Sequence, residues 1–284
     1  MDDITKREID NAVRKVLREA GLQPPINAEQ LLKYLDVNRI YYDLDDPNLL
    51  KRFWHKIRIG QNKIASLARK IKLAALWLPD EDQIIVDSSL PKPKKEWASF
   101  HDATHTILKW HRHFFLGDTA QTLDPDFQEM LESEANYGAS ALMFGGNLFT
   151  KEALDTKPNW ESVKSLQKRY KKSFVVTLRR YIEFSHKIPM AMIVSTPWWM
   201  EIPNDQNNRC RHFIASDTFK NKFGKINPTD ILNIIDAHTT KRRGGIVANF
   251  EMDLIDLNGD RHTFYSESFF NRHYILTLIV CHDN

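Results

Sequence analysis

The stretch HDATH, residues 101–105, sets two histidines four positions apart with an acid directly after the first. On a helix, residues i and i+4 project from one face, one turn apart. Two imidazoles placed this way can reach a single Zn2+ at about 2.0–2.1 Å, which is why the H-x-x-x-H spacing recurs in helical zinc sites. The surrounding sequence predicts a helix from about Lys94 to Trp110, with Trp97, Phe100, Ile107 and Leu108 available for packing. His101 and His105 are therefore candidate metal ligands. Asp102 occupies the position from which a carboxylate can serve as general base to a water beside the ion.

The next helical stretch downstream offers a third ligand. Asp124-Pro125 opens a helix of about 125–144 and Gly145-Gly146 closes it, with Phe127, Leu131, Ala135, Gly138 and Leu142 forming one apolar face. Glu132 and Asn136 are four apart and share a different face. Two antiparallel helices could bring Glu132 to both imidazoles, and Asn136, one turn on, could orient a ligand by hydrogen bonding. Glu134 is the weaker candidate ligand, because two residues on is about 200° around the helix. A set of two histidines and one glutamate leaves a fourth position open to water, as catalytic zinc sites do.

Around this pair the chain changes texture. Ile9, Val13, Val16, Leu17 and Ala20 predict a helix over 4–20, with Gly21 after it. A second helix is expected over 27–35 with Asn27 as N-cap, then a strand over 38–44 and a helix around Leu49–Ile57. Residues 71–78 and 83–87 read as a β-hairpin. Residues 160–185 read as one helix, since Leu166, Tyr170, Phe174, Leu178 and Ile182 fall four apart. From Pro189 onward strands dominate, at 190–195, 212–216, 246–257, 261–269 and 274–282, with Asn258-Gly259 a hairpin turn signal. A helix is expected over 229–238.

Composition bounds the function. The 284 residues are 42% hydrophobic and 27% charged, with a formal net charge of +3, which describes a globular chain large enough for a substantial core. That charge does not point to nucleic acid, and direct nucleic-acid binding is not expected. The basic stretches 164–172, 178–181 and 241–243 read as solvated surface. The two cysteines, Cys210 and Cys281, make no disulfide framework and read as inert thiols, so a metal site must use histidine and carboxylate. The N-terminus lacks an apolar signal core and no run suits a bilayer, so no membrane is expected and the expected location is cytoplasmic. His111 and His113 read as cations suited to a helix end, with a ligand or substrate contact as the other reading. Pro197-Trp198-Trp199 fits either a binding surface or a core contact.

The motifs together resemble the ImmA/IrrE family of zinc metallo-endopeptidases. That family's pattern runs from a strand through a proline-containing loop to F-x-x-A-H-E-x-x-H-x-x-L, and after a spacer to E-x-E-A-N-x-F-A-x-x-L-L-M-P. This chain reads IIVDSSLPKPKKEWASFHDATHTIL over 84–108 and ESEANYGASALMF over 132–144. The likeness covers about residues 10–150 and at most reaches 185. Together with the change of texture at Pro189, it predicts an α+β fold: a mainly helical, zincin-like metallopeptidase domain with a small sheet over 1–188, as the resemblance implies, and a sheet-rich C-terminal α/β part of unassigned role over 189–284, which the resemblance does not reach. It also implies Zn2+ on His101, His105 and Glu132, Asp102 at the general-base position, and a regulatory protein such as a DNA-binding transcriptional repressor as substrate. An oxyanion-stabilising residue is expected but not assigned.

Four positions depart from the family pattern. Aspartate stands at 102 for glutamate, one methylene shorter, although proton transfer needs about 2.6–3.2 Å or one bridging water. Thr104 stands where glycine is frequent, Gly138 where an aromatic is usual, and Gly145-Gly146 where proline is usual. The alternative expectation is thus a non-catalytic or weakly active metal-binding regulatory or interaction protein.

Overall fold

Asp2 starts the chain's first helix, its carboxylate accepting from the Thr5 backbone N–H at 2.8 Å and so satisfying one of the free amides of a helix start. A computed structural model describes residues 1–42, 75–78, 83–111, 125–184, 188–202, 208–224 and 226–282. The helix expected around Leu49–Ile57, the turn at 79–82 and His113 lie outside these. Two compact units result, Met1–Leu148 and Phe149–Asn284.

In the first unit, α1 (Asp3–Glu19) buries Ile9, Val13 and Leu17 along one stripe, as its helical spacing predicts. Helix α2 (Ala28–Tyr34) is capped by Asn27, whose side-chain oxygen accepts from the Glu29 N–H at 2.8 Å. A three-stranded sheet follows, in the order β1 (Asn38–Tyr42), β3 (Gln83–Asp87), β2 (Ala75–Leu78). Strands β2 and β3 are antiparallel with Leu78 opposite Gln83, as expected of the hairpin, while β1 joins β3 in parallel. Arg39 on β1 ties this sheet to its neighbours, reaching Glu29 at 2.9 Å and Ser99 Oγ at 3.1 Å.

Helix α3 (Lys92–Ile107) carries the HDATH stretch and packs on α4 (Pro125–Met143). Their crossing is tight because Gly138 has no side chain: a Cβ there would sit 2.3 Å from Thr104 Cγ2 and 3.2 Å from Ile9 Cγ2. The two unusual residues Thr104 and Gly138 therefore meet, and the threonine methyl fills the space the glycine leaves. Helix α4 ends as expected at Gly145, whose φ of 72° suits glycine. The Gly146 N–H then bonds the Ala141 carbonyl at 2.7 Å and the Gly145 N–H that of Leu142 at 3.2 Å, the double closure typical of a glycine-terminated helix.

The second unit begins before the change in sequence texture at 188–189. Helix α5 (Asn147–Leu154), which was not expected, begins two residues before the boundary, and α6 (Trp160–Tyr170) and α7 (Phe174–Phe184) follow it. The single helix expected over 160–185 is broken at Lys171, which is left-handed at φ 52°. Ser173 restarts the helix, its hydroxyl accepting from the Val176 N–H at 3.3 Å. The four-residue apolar spacing survives the break because both helices bury their stripe. Trp160 Nε1 donates to the Glu267 carbonyl at 3.1 Å and α7 packs on β4 and β5, so these helices belong with the sheet. The basic stretch is not simply solvated, since Lys172 and Arg180 are buried.

The sheet runs β5 (Cys210–Ala215), β4 (Met190–Ser195), β8 (Ile275–Cys281), β7 (Arg261–Phe270), β6 (Gly245–Ile255), antiparallel throughout. The C-terminal part, expected as α/β, is thus α+β like the whole chain. Between β5 and β6 come α8 (Asp217–Phe223), not foreseen, and α9 (Pro228–His238), which pack Phe219, Phe223, Ile231 and Ile235 on Ile193, Phe264 and Ile279. At the expected Asn258-Gly259 turn, Asp256 Oδ1 accepts from the N–H groups of Asn258 and Asp260 at 2.8 and 3.0 Å. Trp199 packs edge-on against Phe270 with centroids 5.6 Å apart, while Trp198 stays half-exposed. Cys210 and Cys281 are free thiols. Among the described residues no helix is long and apolar enough to cross a membrane.

Gly138→Ala should lower the unfolding free energy by about 1–3 kcal/mol through overpacking, and adding Thr104→Ala should restore most of it. Denaturant titration of both variants checks this; simply additive losses would show that the two positions do not share that space.

Candidate metal centre

Three side chains converge at the α3–α4 crossing. His101, His105 and Glu132 each offer one donor atom, and these atoms all lie within 4.8 Å of one another. His101 Nε2 is 3.2 Å from Glu132 Oε2, His105 Nε2 is 3.7 Å from Glu132 Oε1, and the two Nε2 atoms are 3.2 Å apart. The group could hold a metal ion. Two imidazole nitrogens and a carboxylate oxygen suit a borderline divalent ion such as zinc. One side of the cluster is open: the Glu132 side chain is 56% exposed, whereas His105 is only 4% exposed.

Each imidazole is held from behind. His101 Nδ1 lies 3.1 Å from Asn136 Oδ1, so the amide one turn after Glu132 sits where the sequence expects a ligand-orienting group. His105 Nδ1 lies 2.7 Å from His111 Nδ1, and His111 Nε2 lies 3.0 Å from Glu134 Oε2. Trp110 Nε1 donates to the same Glu134 oxygen at 2.8 Å. His111 is thus buried between His105 and Glu134. The chain leaves α3 at Leu108, whose backbone is extended at ψ 98°. Beyond the buried Leu108, residues 109–111 are helical again, and the His111 N–H bonds the Leu108 carbonyl at 2.9 Å. This break places His111 against His105 and Trp110 against Glu134. A straight extension of the helix, which the sequence reading assumes, would send them elsewhere.

Glu134 lies away from the three-residue cluster, as its angle from Glu132 requires, but it is buried. The sequence signal for its partnership was slight: a histidine and a tryptophan just past the helix end, and a second acid two residues after the first.

Burial dominates the electrostatics. It pushes the Asp102 carboxyl up to about 7, with the Glu132 charge adding to the rise and His101 opposing it. Among the described residues, Asp102 Oδ2 is buried without a hydrogen-bond partner. Burial, with the neighbouring charges of His101 and His111, holds His105 well below the usual imidazole range, which keeps its ring neutral, the form that binds metal. Burial works against charge on His101 too, yet the hydrogen bond that it donates to Glu132 and the Asp102 charge, with smaller contributions, raise it overall. Glu134 would be raised by burial, but the hydrogen bonds from His111 and Trp110 outweigh that and hold it below the ordinary carboxylate range. A buried oxygen without a partner costs about 1–3 kcal/mol. Such an oxygen beside a cluster of donor atoms is what a site awaiting an ion and its water would leave.

No protein-family model matches the chain, and no curated protein matches it. Among solved structures, a Mycobacterium tuberculosis transcriptional regulator is similar over 96% of this chain and 87% of that one, at 9% identity and a TM-score of 0.47. A likeness so distant carries no argument about activity.

With zinc as the probe ion, His101→Ala and Glu132→Ala should each hold less of it than the wild type while remaining folded, because each removes one of the three donors found among the described residues. Elemental analysis of the purified variants checks this, and unchanged zinc in either would remove that residue from the donor set.

Proposed function

We propose that the chain is a zinc-dependent endopeptidase of the zincin-like kind that cleaves a regulatory protein, with His101, His105 and Glu132 as ligands. The observation that carries this reading is the convergence of those three donors on one point beside a buried acid. An ion held there would supply Lewis acidity, polarising a peptide carbonyl and lowering the pKa of a water. Asp102 Oδ2 takes a proton from that water and returns it to the leaving amine. Its elevated pKa suits both tasks, since a general acid–base works best near the operating pH. The open side at Glu132 gives an extended peptide access. A DNA-binding transcriptional repressor is the substrate class that the sequence resemblance suggests, and a cytoplasmic setting goes with it.

One observation favours a second reading. Asp102 has the shorter arm of the two acids, so its carboxylate sits closer to its own backbone than a glutamate's would. If that oxygen falls short of the reacting water, the protein is a metal-stabilised regulatory or interaction protein without hydrolytic activity.

Asp102→Ala should keep stoichiometric zinc yet stop cleavage of the partner protein, with kcat/KM falling by about 100-fold or more. Gel analysis of the zinc-loaded wild type and variant with that partner checks it. Equal cleavage by both would remove Asp102 from the chemistry, and no cleavage by either would favour the second reading.

A further inference from the structure

We infer that Glu134 and His111 are positioning residues that fix the tautomer of His105, turning its Nε2 lone pair toward the candidate metal position. The inference rests on reading His101, His105 and Glu132 as the ligands.

The geometry leaves little choice. Two Nδ1 atoms at 2.7 Å, those of His105 and His111, must share one proton, because two lone pairs or two N–H groups would repel. His111 Nε2 faces Glu134 Oε2 at 3.0 Å, and an ionised carboxylate only accepts, so that nitrogen carries a proton. Trp110 Nε1 donates to the same oxygen and pins the carboxylate from a second direction. With the His111 proton on the Nε2 that faces Glu134, the inferred arrangement has His105 Nδ1–H donating to His111 Nδ1, which leaves His105 Nε2 unprotonated.

That freed atom is the one that lies 3.2 Å from His101 Nε2 and 3.7 Å from Glu132 Oε1. The reverse arrangement would put a proton on His105 Nε2 and close it to a metal. His101 is held by a shorter route, its Nδ1 lying 3.1 Å from the Asn136 Oδ1 that can accept from it. The partner of a metal-facing imidazole sets which nitrogen binds.

His111 and Glu134 are both buried, so water cannot stand in for either. They come from different segments, the turn after α3 and the middle of α4, and neither belongs to the three-donor cluster.

Two measurements on the full chain test this. Nitrogen NMR of the metal-free wild type should show His105 protonated at Nδ1 and bare at Nε2; a proton on Nε2 would overturn the inference. Zinc affinity, measured by chelator competition, should fall by about 10–100-fold in His111→Phe. It should recover most of that loss in His111→Gln, whose amide oxygen can accept the same proton. Equal affinity in wild type and His111→Phe would also overturn the inference. Should His111→Phe not fold, the wild-type ring signature still decides. A wild type that binds no zinc would remove the ligand reading instead, while the tautomer of His105 would stand or fall by its own signal.

Discussion

The absence of a side chain at Gly138 is the constraint on which the rest of the first unit depends. It lets α4 approach α3 until Thr104 fills the gap, and the approach sets His101 and His105 opposite Glu132. Helices separated by a larger contact residue pack farther apart, and donor atoms that now lie within 4.8 Å of one another would be spread beyond the reach of one ion. A threonine–glycine contact thus fixes the distance between the donor atoms.

The same crossing creates an electrostatic demand. His105 and Asp102 are both buried, and Asp102 keeps one oxygen without a hydrogen-bond partner. A chain selected only for stability would replace such a group with an apolar one, because a buried polar atom without a partner is a net cost. The neighbouring Glu134, equally buried, shows the opposite treatment, with two donors on a single oxygen. On the proposed function, this contrast is the difference between a carboxylate that positions a ring and one that moves a proton.

Much of this was legible in residues. The i, i+4 histidines, the shared face of Glu132 and Asn136, the α4 terminus at Gly145 and the five C-terminal strands all follow from local periodicity and turn chemistry, and they hold in the structure. The part that was not legible depends on direction changes. The bend at Leu108 sends His111 inward, and it arises from tertiary packing of a leucine rather than from a breaker residue. The split at Lys171 was hidden because both helices keep the same four-residue apolar spacing, and a lysine is a poor marker for a left-handed turn. The compact units divide at Leu148, ahead of the change in sequence texture. Helices α6 and α7 look like the helical first part by composition but bury their apolar faces with the sheet.

X-ray absorption at the zinc edge of the zinc-loaded full chain tests the central claim most directly. Two imidazoles with nitrogen at about 2.0–2.1 Å and a carboxylate, completed by a light oxygen scatterer, are the result expected of His101, His105 and Glu132. A first shell of oxygens alone, with no imidazole scattering, would contradict it.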